Sequence, residues 1–200
     1  RSVNGRDVTI IEGSGNNEYA KSTAVRCVYM NGGVLDGFTL RRGATFSDAQ
    51  GDTVSPYDNY GGGLYIGASA RAINCRIVSC RAQYGGGVAS QGMLENCILS
   101  GNAAEGSGGG ASYNTRLINC LSEGNSASSG GGVSVCTLQN CTVAGNSSVS
   151  MGGGAYASTL SFCTVVSNSS DRGGGAFSGT LSSCTVAETE AASCGGGVSR

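Results

Sequence analysis

The sequence has no histidine, no tryptophan and one proline (Pro56), and only 12% of it is charged. Each shortage excludes something. Without histidine, a Ser-His-Asp triad, a Cys-His pair and a His-ligated metal cannot be built from this sequence. The charge is balanced as well as sparse, with 12 basic against 13 acidic residues and a net charge of −1. No basic tract follows a phosphate backbone, so nucleic acid is not an expected partner. No run of about 18 apolar residues occurs, so no transmembrane helix is expected. Helix formers such as lysine, glutamate and glutamine are also scarce.

Glycine is what the sequence has in excess, 36 residues of it. No strict Gly-X-Y period is present, which rules out collagen. Instead, glycine triplets stand at 61–63, 85–87, 108–110, 130–132, 152–154, 173–175 and 195–197. The steps between them are 24, 23, 22, 22, 21 and 22 residues. A fixed period of this size marks a stacked repeat. Each rung then contacts only its neighbours, so residues 1–200 read as a single elongated domain. The last triplet opens a rung that Arg200 leaves unfinished, and no cap is visible. The sequence therefore reads as part of a longer chain, and uncapped ends predict end-to-end self-association.

The apolar positions keep the same register. Cys75, Cys97, Cys120, Cys141, Cys163 and Cys184 recur once per rung. Three residues before them stand Ala72, Leu94, Leu117, Leu138, Leu160 and Leu181. Two residues after come Ile77, Leu99, Ser122, Val143, Val165 and Val186. Five after come Asn102, Asn125, Asn146 and Asn168, with Cys80 and Thr189 substituting at the two ends. Side chains alternate along a strand, so the cysteine and the residue two later share a face. Thr142, Thr164 and Thr185, between them, should point outward. One rung cannot bury its apolar face alone. Stacked about 4.8 Å apart, equal side chains form one continuous core. Asparagines repeated at a turn can hydrogen-bond into a ladder. The glycines admit backbone angles and close approaches that other residues do not.

These features predict an all-β, right-handed parallel β-helix solenoid of about 22 residues per rung, with three strands and three turns in each. The alternative is a leucine-rich repeat, because Leu94-x-x-Cys97-x-Leu99-x-x-Asn102 fits that phrase. The Gly, Ser and Ala of the second half-rung cannot supply the apolar convex layer that fold needs. Residues 1–42 are looser, with strand-like stretches at 8–11 and 24–29 and with Phe38 in the cysteine place. Residues 44–60 hold no apolar period and read as an inserted loop, and such loops often carry function.

The phrase VLDGFTLRRG at 34–43, the inserted loop, and the repeated GGG[LVA]…L-x-N-C-x-[VIL]-x-x-N-[SA] together resemble a known family. They resemble the bacterial right-handed parallel β-helix repeat proteins of the pectin-lyase-like superfamily. They are also similar to the repeats of polymorphic outer-membrane proteins. The departures are GGG for GGA, and Leu99, Val143 or Val165 where phenylalanine would stand. The resemblance implies a secreted or cell-surface location on the bacterial outer surface. For some members it implies polysaccharide lyase or glycoside hydrolase activity. Such enzymes use a carboxylate cluster for calcium with an Arg or Lys base, or a group of Asp residues. Those clusters lie on the outer face of consecutive rungs, where this sequence has Thr, Ser, Ile and Leu; its one local acid group is Asp48, Asp52 and Asp58 of the inserted loop, near Arg41, Arg42, Arg71, Arg76 and Arg81. They are the catalytic candidates, with calcium as the candidate cofactor.

Two further groups of residues bear on function. Tyr57, Tyr60, Tyr65, Tyr84 and Tyr113 gather near one end of the solenoid. Tyrosine stacks on sugar rings and keeps a hydroxyl for hydrogen bonding. With Arg76 and Arg81, these tyrosines form the candidate ligand-binding set. The six register cysteines read as small buried hydrophobes, spaced slightly too widely for relaxed disulfides. Cys80 reads as an asparagine-ladder substitute. Cys27, Cys136 and Cys194 lie off the ladder and are the thiols expected to be free or paired. The favoured function is a secreted or cell-surface module, structural or adhesin-like, whose partner is a polysaccharide or host glycan. The alternative is a carbohydrate-active enzyme working through the 44–60 loop.

Overall fold

The structure, a computed structural model, describes residues 1–14, 24–45 and 58–199. Beginning at Gly130, one rung runs through strands Val133–Ser134, Thr137–Gln139, Thr142–Ala144 and Ser147–Met151. Four strands and four corners therefore fill a rung, where three of each were expected. The glycine triplet is itself a corner, and the two residues after it make a strand before the chain turns again. Each strand pairs in parallel with its equivalent one rung away. Leu138 lies between Leu117 and Leu160, and Val143 between Ser122 and Val165. The strands form sheets of eight, six and 13 strands. The largest sheet consists of two runs joined by the long strand Leu64–Ile73, which goes straight where later rungs turn. That strand pairs with Val28–Asp36.

No helix occurs among the described residues. The half-rung that a leucine-rich repeat would make helical is strand, as in Ser126–Ser129. The parallel solenoid is therefore the fold. Its core is one column per inward position. Leu94, Leu117, Leu138 and Leu160 are at most 1% exposed, as are Ile77, Leu99, Val143 and Val165. Burying each such side chain contributes about 1.5–3 kcal/mol.

Ladders of hydrogen bonds hold the corners. At one corner, Asn102 N donates to Asn125 Oδ1, Asn125 N to Asn146 Oδ1, and Asn146 N to Asn168 Oδ1, all at 2.9 Å. Each carboxamide also donates to a carbonyl of the preceding rung, as Asn125 Nδ2 does to Leu99 O at 3.0 Å. Cys80 continues this ladder, its N–H donating to Asn102 Oδ1 at 2.9 Å. One rung further, the ladder position is Gly43, and Cys27 fills its space. A Cβ built on Gly43 would lie 2.7 Å from Cys27 Sγ.

A second corner repeats the device in sulfur. Cys75 N donates to Cys97 Sγ and Cys97 N to Cys120 Sγ, both at 3.4 Å. The residue before each cysteine must adopt left-handed backbone angles. Asn74, Asn96, Asn119 and Asn140 do so, with φ from 52° to 54°. Asparagine tolerates that region better than other residues with a Cβ, which accounts for the Asn-Cys pair in the repeat. A third ladder includes Cys136, whose N–H donates to Ser158 Oγ at 3.1 Å. Cys136 is therefore a buried ladder residue in its own register. All ten cysteines are free.

The glycine triplet forms the fourth corner, and its residues are glycine for different reasons. Gly130 has φ +64°, in the left-handed region. A Cβ on Gly131 would stand 2.1 Å from Ser147 O, which is backbone. A Cβ on Gly132 would reach Asn146 Nδ2 at 2.9 Å and Val143 Cγ1 at 3.0 Å.

Candidate functional site at the glycine corner

The residues two after each triplet stand in register one above another, Tyr65, Ala89, Ser112, Ser134, Tyr156, Phe177 and Ser199, with the first four buried. Aromatic rings thus stand toward both ends of one column, with small residues between them. Tyr29 stacks on Tyr65 with centroids 4.6 Å apart and planes 8° from parallel. Tyr156 stacks on Phe177 at 6.2 Å, and the Arg172 guanidinium lies 5.9 Å from the phenylalanine ring.

A tighter cluster sits beside the first pair. Tyr60 stacks on Tyr84 at 5.4 Å, and Tyr113 meets both edge-on, at 4.6 Å and 5.6 Å. Such edge-to-face pairs contribute about 0.5–1.5 kcal/mol beyond their buried area. The Tyr60 hydroxyl donates to that of Tyr113 across 3.4 Å. Burial, and then the Tyr60 hydroxyl, raise the Tyr113 pKa above the ordinary phenol value. The Tyr84 ring fits because the next rung carries Gly106, where a Cβ would come 2.6 Å from Tyr84 Cε1.

Arg26 ties the two tyrosine groups together. Its Nε donates to Gly61 O at 2.9 Å, and its Nη2 donates to Tyr60 O at 2.8 Å. Its guanidinium lies 5.6 Å from the Tyr29 centroid and 5.7 Å from that of Tyr65, within cation–π range. Burial lowers its pKa from the ordinary arginine value, and the nearby Asp58 opposes that shift.

The structure thus brings together Tyr60, Tyr84 and Tyr113, with Tyr65 next to them through Arg26. It does not bring in Arg76, which lies on the eight-stranded sheet against Thr39 and Ile98. Arg81 shares the strand Arg81–Tyr84 but stands at its far end. Asp48, Asp52 and Tyr57 lie outside the described residues. The arginines expected beside the acidic loop are engaged elsewhere. Arg41 and Arg42 pair with Glu12 at 2.7 Å and 3.1 Å, and Arg71 pairs with Glu95 at 2.7 Å. The Arg41 hydrogen bond holds the Glu12 carboxyl below its usual pKa. Among the described residues, no three of His, Cys, Asp and Glu gather to hold a metal.

Sequence reasoning missed Arg26, Tyr29, Tyr156 and Phe177. Three of the column's rings were signalled by one position, the second residue after a triplet, which holds Tyr65, Tyr156 and Phe177. Arg26 and Tyr29 precede the first triplet and carry no such mark. No family model, curated protein or solved structure matches the chain.

Proposed function

We propose that this chain is a rigid β-solenoid module that binds glycan along its glycine corner, in a structural or adhesin-like role at the cell surface or in secretion. The observation that carries this reading is the convergence of Tyr60, Tyr84 and Tyr113, with centroids 4.6–5.6 Å apart, on a rigid corner. The stacked Tyr29–Tyr65 pair extends the same surface. Tyrosines with apolar faces and polar edges suit sugar rings, which present the same two chemistries. A solenoid sets such platforms at regular intervals of about 4.8 Å per rung, as a polymer ligand requires.

The test is incubation with neutral and uronic-acid polysaccharides, with and without calcium, following both protein retention and polymer length. Retention without shortening is the expected result. Shortened polymer would replace this reading with a lyase or hydrolase using the 44–60 loop. Neither retention nor shortening would leave a structural stalk.

A further inference from the structure

Ser112 is 1% exposed, yet its hydroxyl has no hydrogen-bond partner. A buried hydroxyl left unpaired is costly and calls for an explanation. Its backbone is accounted for, since Thr115 Oγ1 donates to Ser112 O at 2.6 Å. The hydroxyl is aimed at the corner of the preceding rung. A Cβ built on Gly85 would stand 2.7 Å from Ser112 Oγ. Gly85 follows Tyr84, and Tyr113 follows Ser112. The unpaired oxygen therefore lies where the two tyrosine-bearing turns meet.

The chain carries one residue more here than in later rungs. Six positions separate Ala111 from Leu117, but five separate Val133 from Leu138. Tyr113 and Asn114 take up the surplus, both with φ 59°. Asparagine accepts that conformation, but a tyrosine there is strained. Strain of this kind collects at ligand clamps and switch points. Tyr113 is 39% exposed, next to a serine that is closed off.

We infer that Tyr84, Ser112 and Tyr113 form a subsite for one neutral sugar ring of a bound glycan. The ring takes the place of Tyr113 against the edges of the stacked Tyr60 and Tyr84, and one of its hydroxyls pairs with Ser112 Oγ. Tyr113 swings off the corner to admit it. The inference rests on the glycan-binding reading above and narrows it to uncharged sugars. Arg26 is committed to the carbonyls of Tyr60 and Gly61, with Asp58 beside it. Glu105 is exposed on the strand Ala103–Ser107, which pairs with that of Tyr84. Arg81 is three residues from Tyr84, about 10 Å along the strand. Among the described residues, a carboxylated sugar would find no dedicated counter-charge at this corner.

The chain has eight tyrosines and no tryptophan, so its fluorescence is tyrosine emission, to which Tyr60, Tyr84 and Tyr113 contribute. The probes are a neutral β-glucan oligosaccharide, a neutral galactan oligosaccharide and an oligogalacturonate, titrated against the whole chain. A neutral probe should give a saturable change that the uronate does not. Ser112→Ala should weaken binding about tenfold without loss of melting temperature, since it removes an unpaired hydroxyl. Tyr84→Ala should weaken binding at least as much. Tyr113→Gly should tighten it several-fold by removing both cover and strain. Melting curves of each variant separate lost binding from lost folding. Preference for the uronate, indifference to Ser112→Ala, or weaker binding by Tyr113→Gly would overturn the subsite while the glycan reading stood. Failure of the unaltered chain to bind any of the three probes or to be retained on any polysaccharide would remove the glycan reading itself.

Discussion

The asparagine corner and the glycine corner of this solenoid are built to opposite rules. At the asparagine corner, the side chains repeat from Asn102 to Asn168 with one bond geometry, each amide donating at 2.9 Å to the next carboxamide. At the glycine corner only the backbone repeats, and the second residue after the triplet changes from Tyr65 through Ala89 and Ser112 to Phe177. The first corner faces the core and is the same wherever rungs stack. The second is buried too, with Ala89, Ser112 and Ser134 at most 1% exposed, but its differences between rungs place rings and a hydroxyl at chosen heights. In a stacked fold, periodicity specifies the coil, and departures from it are where recognition can be written.

The largest expected effect tests whether the glycine corner is fixed by a backbone wall. Gly131→Ala places a Cβ 2.1 Å from Ser147 O, and neither partner is a flexible side chain. It should destabilise the chain by roughly 4 kcal/mol or more, the exceptional range for one substitution. The control is Gly124→Ala at the asparagine corner, where φ is +60° but no atom lies within 4 Å of the added carbon. There the cost should be only the left-handed penalty, about 1–2 kcal/mol. Urea melts of both variants decide the matter. Equal losses would mean that the backbone wall gives way at little cost and does not by itself demand glycine at this place.

The next effect separates the two interior ladders. Asn125→Ala removes the acceptor of Asn102 N and the donor to Leu99 O, all buried. A broken buried network of this size should cost about 2–4 kcal/mol. Cys120→Ala removes weaker sulfur bonds, such as the 3.4 Å contact from Cys97 N. It should cost closer to 1 kcal/mol. The Cys97 thiol is pushed well above its ordinary pKa by the sulfurs of Cys120 and Cys75 and by burial. A Cys120→Ala loss equal to that of Asn125→Ala would make sulfur an equal partner in holding the rungs.

Much of this coil was legible because its contacts are repeats of one contact. The columns of Leu117 and Val143, the asparagine ladder and the role of Cys80 all follow from a register of about 22 residues. What escaped was of two kinds. The fourth corner hid inside the period, because two residues such as Val133–Ser134 are too short to show alternation. The site escaped where partners are out of phase with the repeat. Arg26 reaches Tyr60 across 34 positions and carries no triplet to mark it. Tyr113 is a one-residue surplus, visible only once the corner it distorts is known to exist.

The smallest effect concerns a departure from the repeat at the sulfur corner. Phe162 stands in the place that Asn74, Asn96, Asn119 and Asn140 hold in earlier rungs, with φ 55° and 63% of its surface exposed. A phenylalanine held in the left-handed region lacks the short polar side chain that eases it. The ring is too exposed for burial to offset much of that strain. Phe162→Asn should therefore raise stability by about 0.5–1 kcal/mol. In a chain of this size that is a rise of roughly 1–4 °C in Tm, measurable by thermal melting followed by circular dichroism. The backbone bond from Phe162 N to Ser182 O and the sulfur bond from Cys163 N to Cys184 Sγ do not involve the ring, so both should persist. A fall in Tm instead would show that the ring stabilises this rung more than the handedness of its backbone costs. The rule that asparagine suits every turn of this corner would then hold only for the rungs before it.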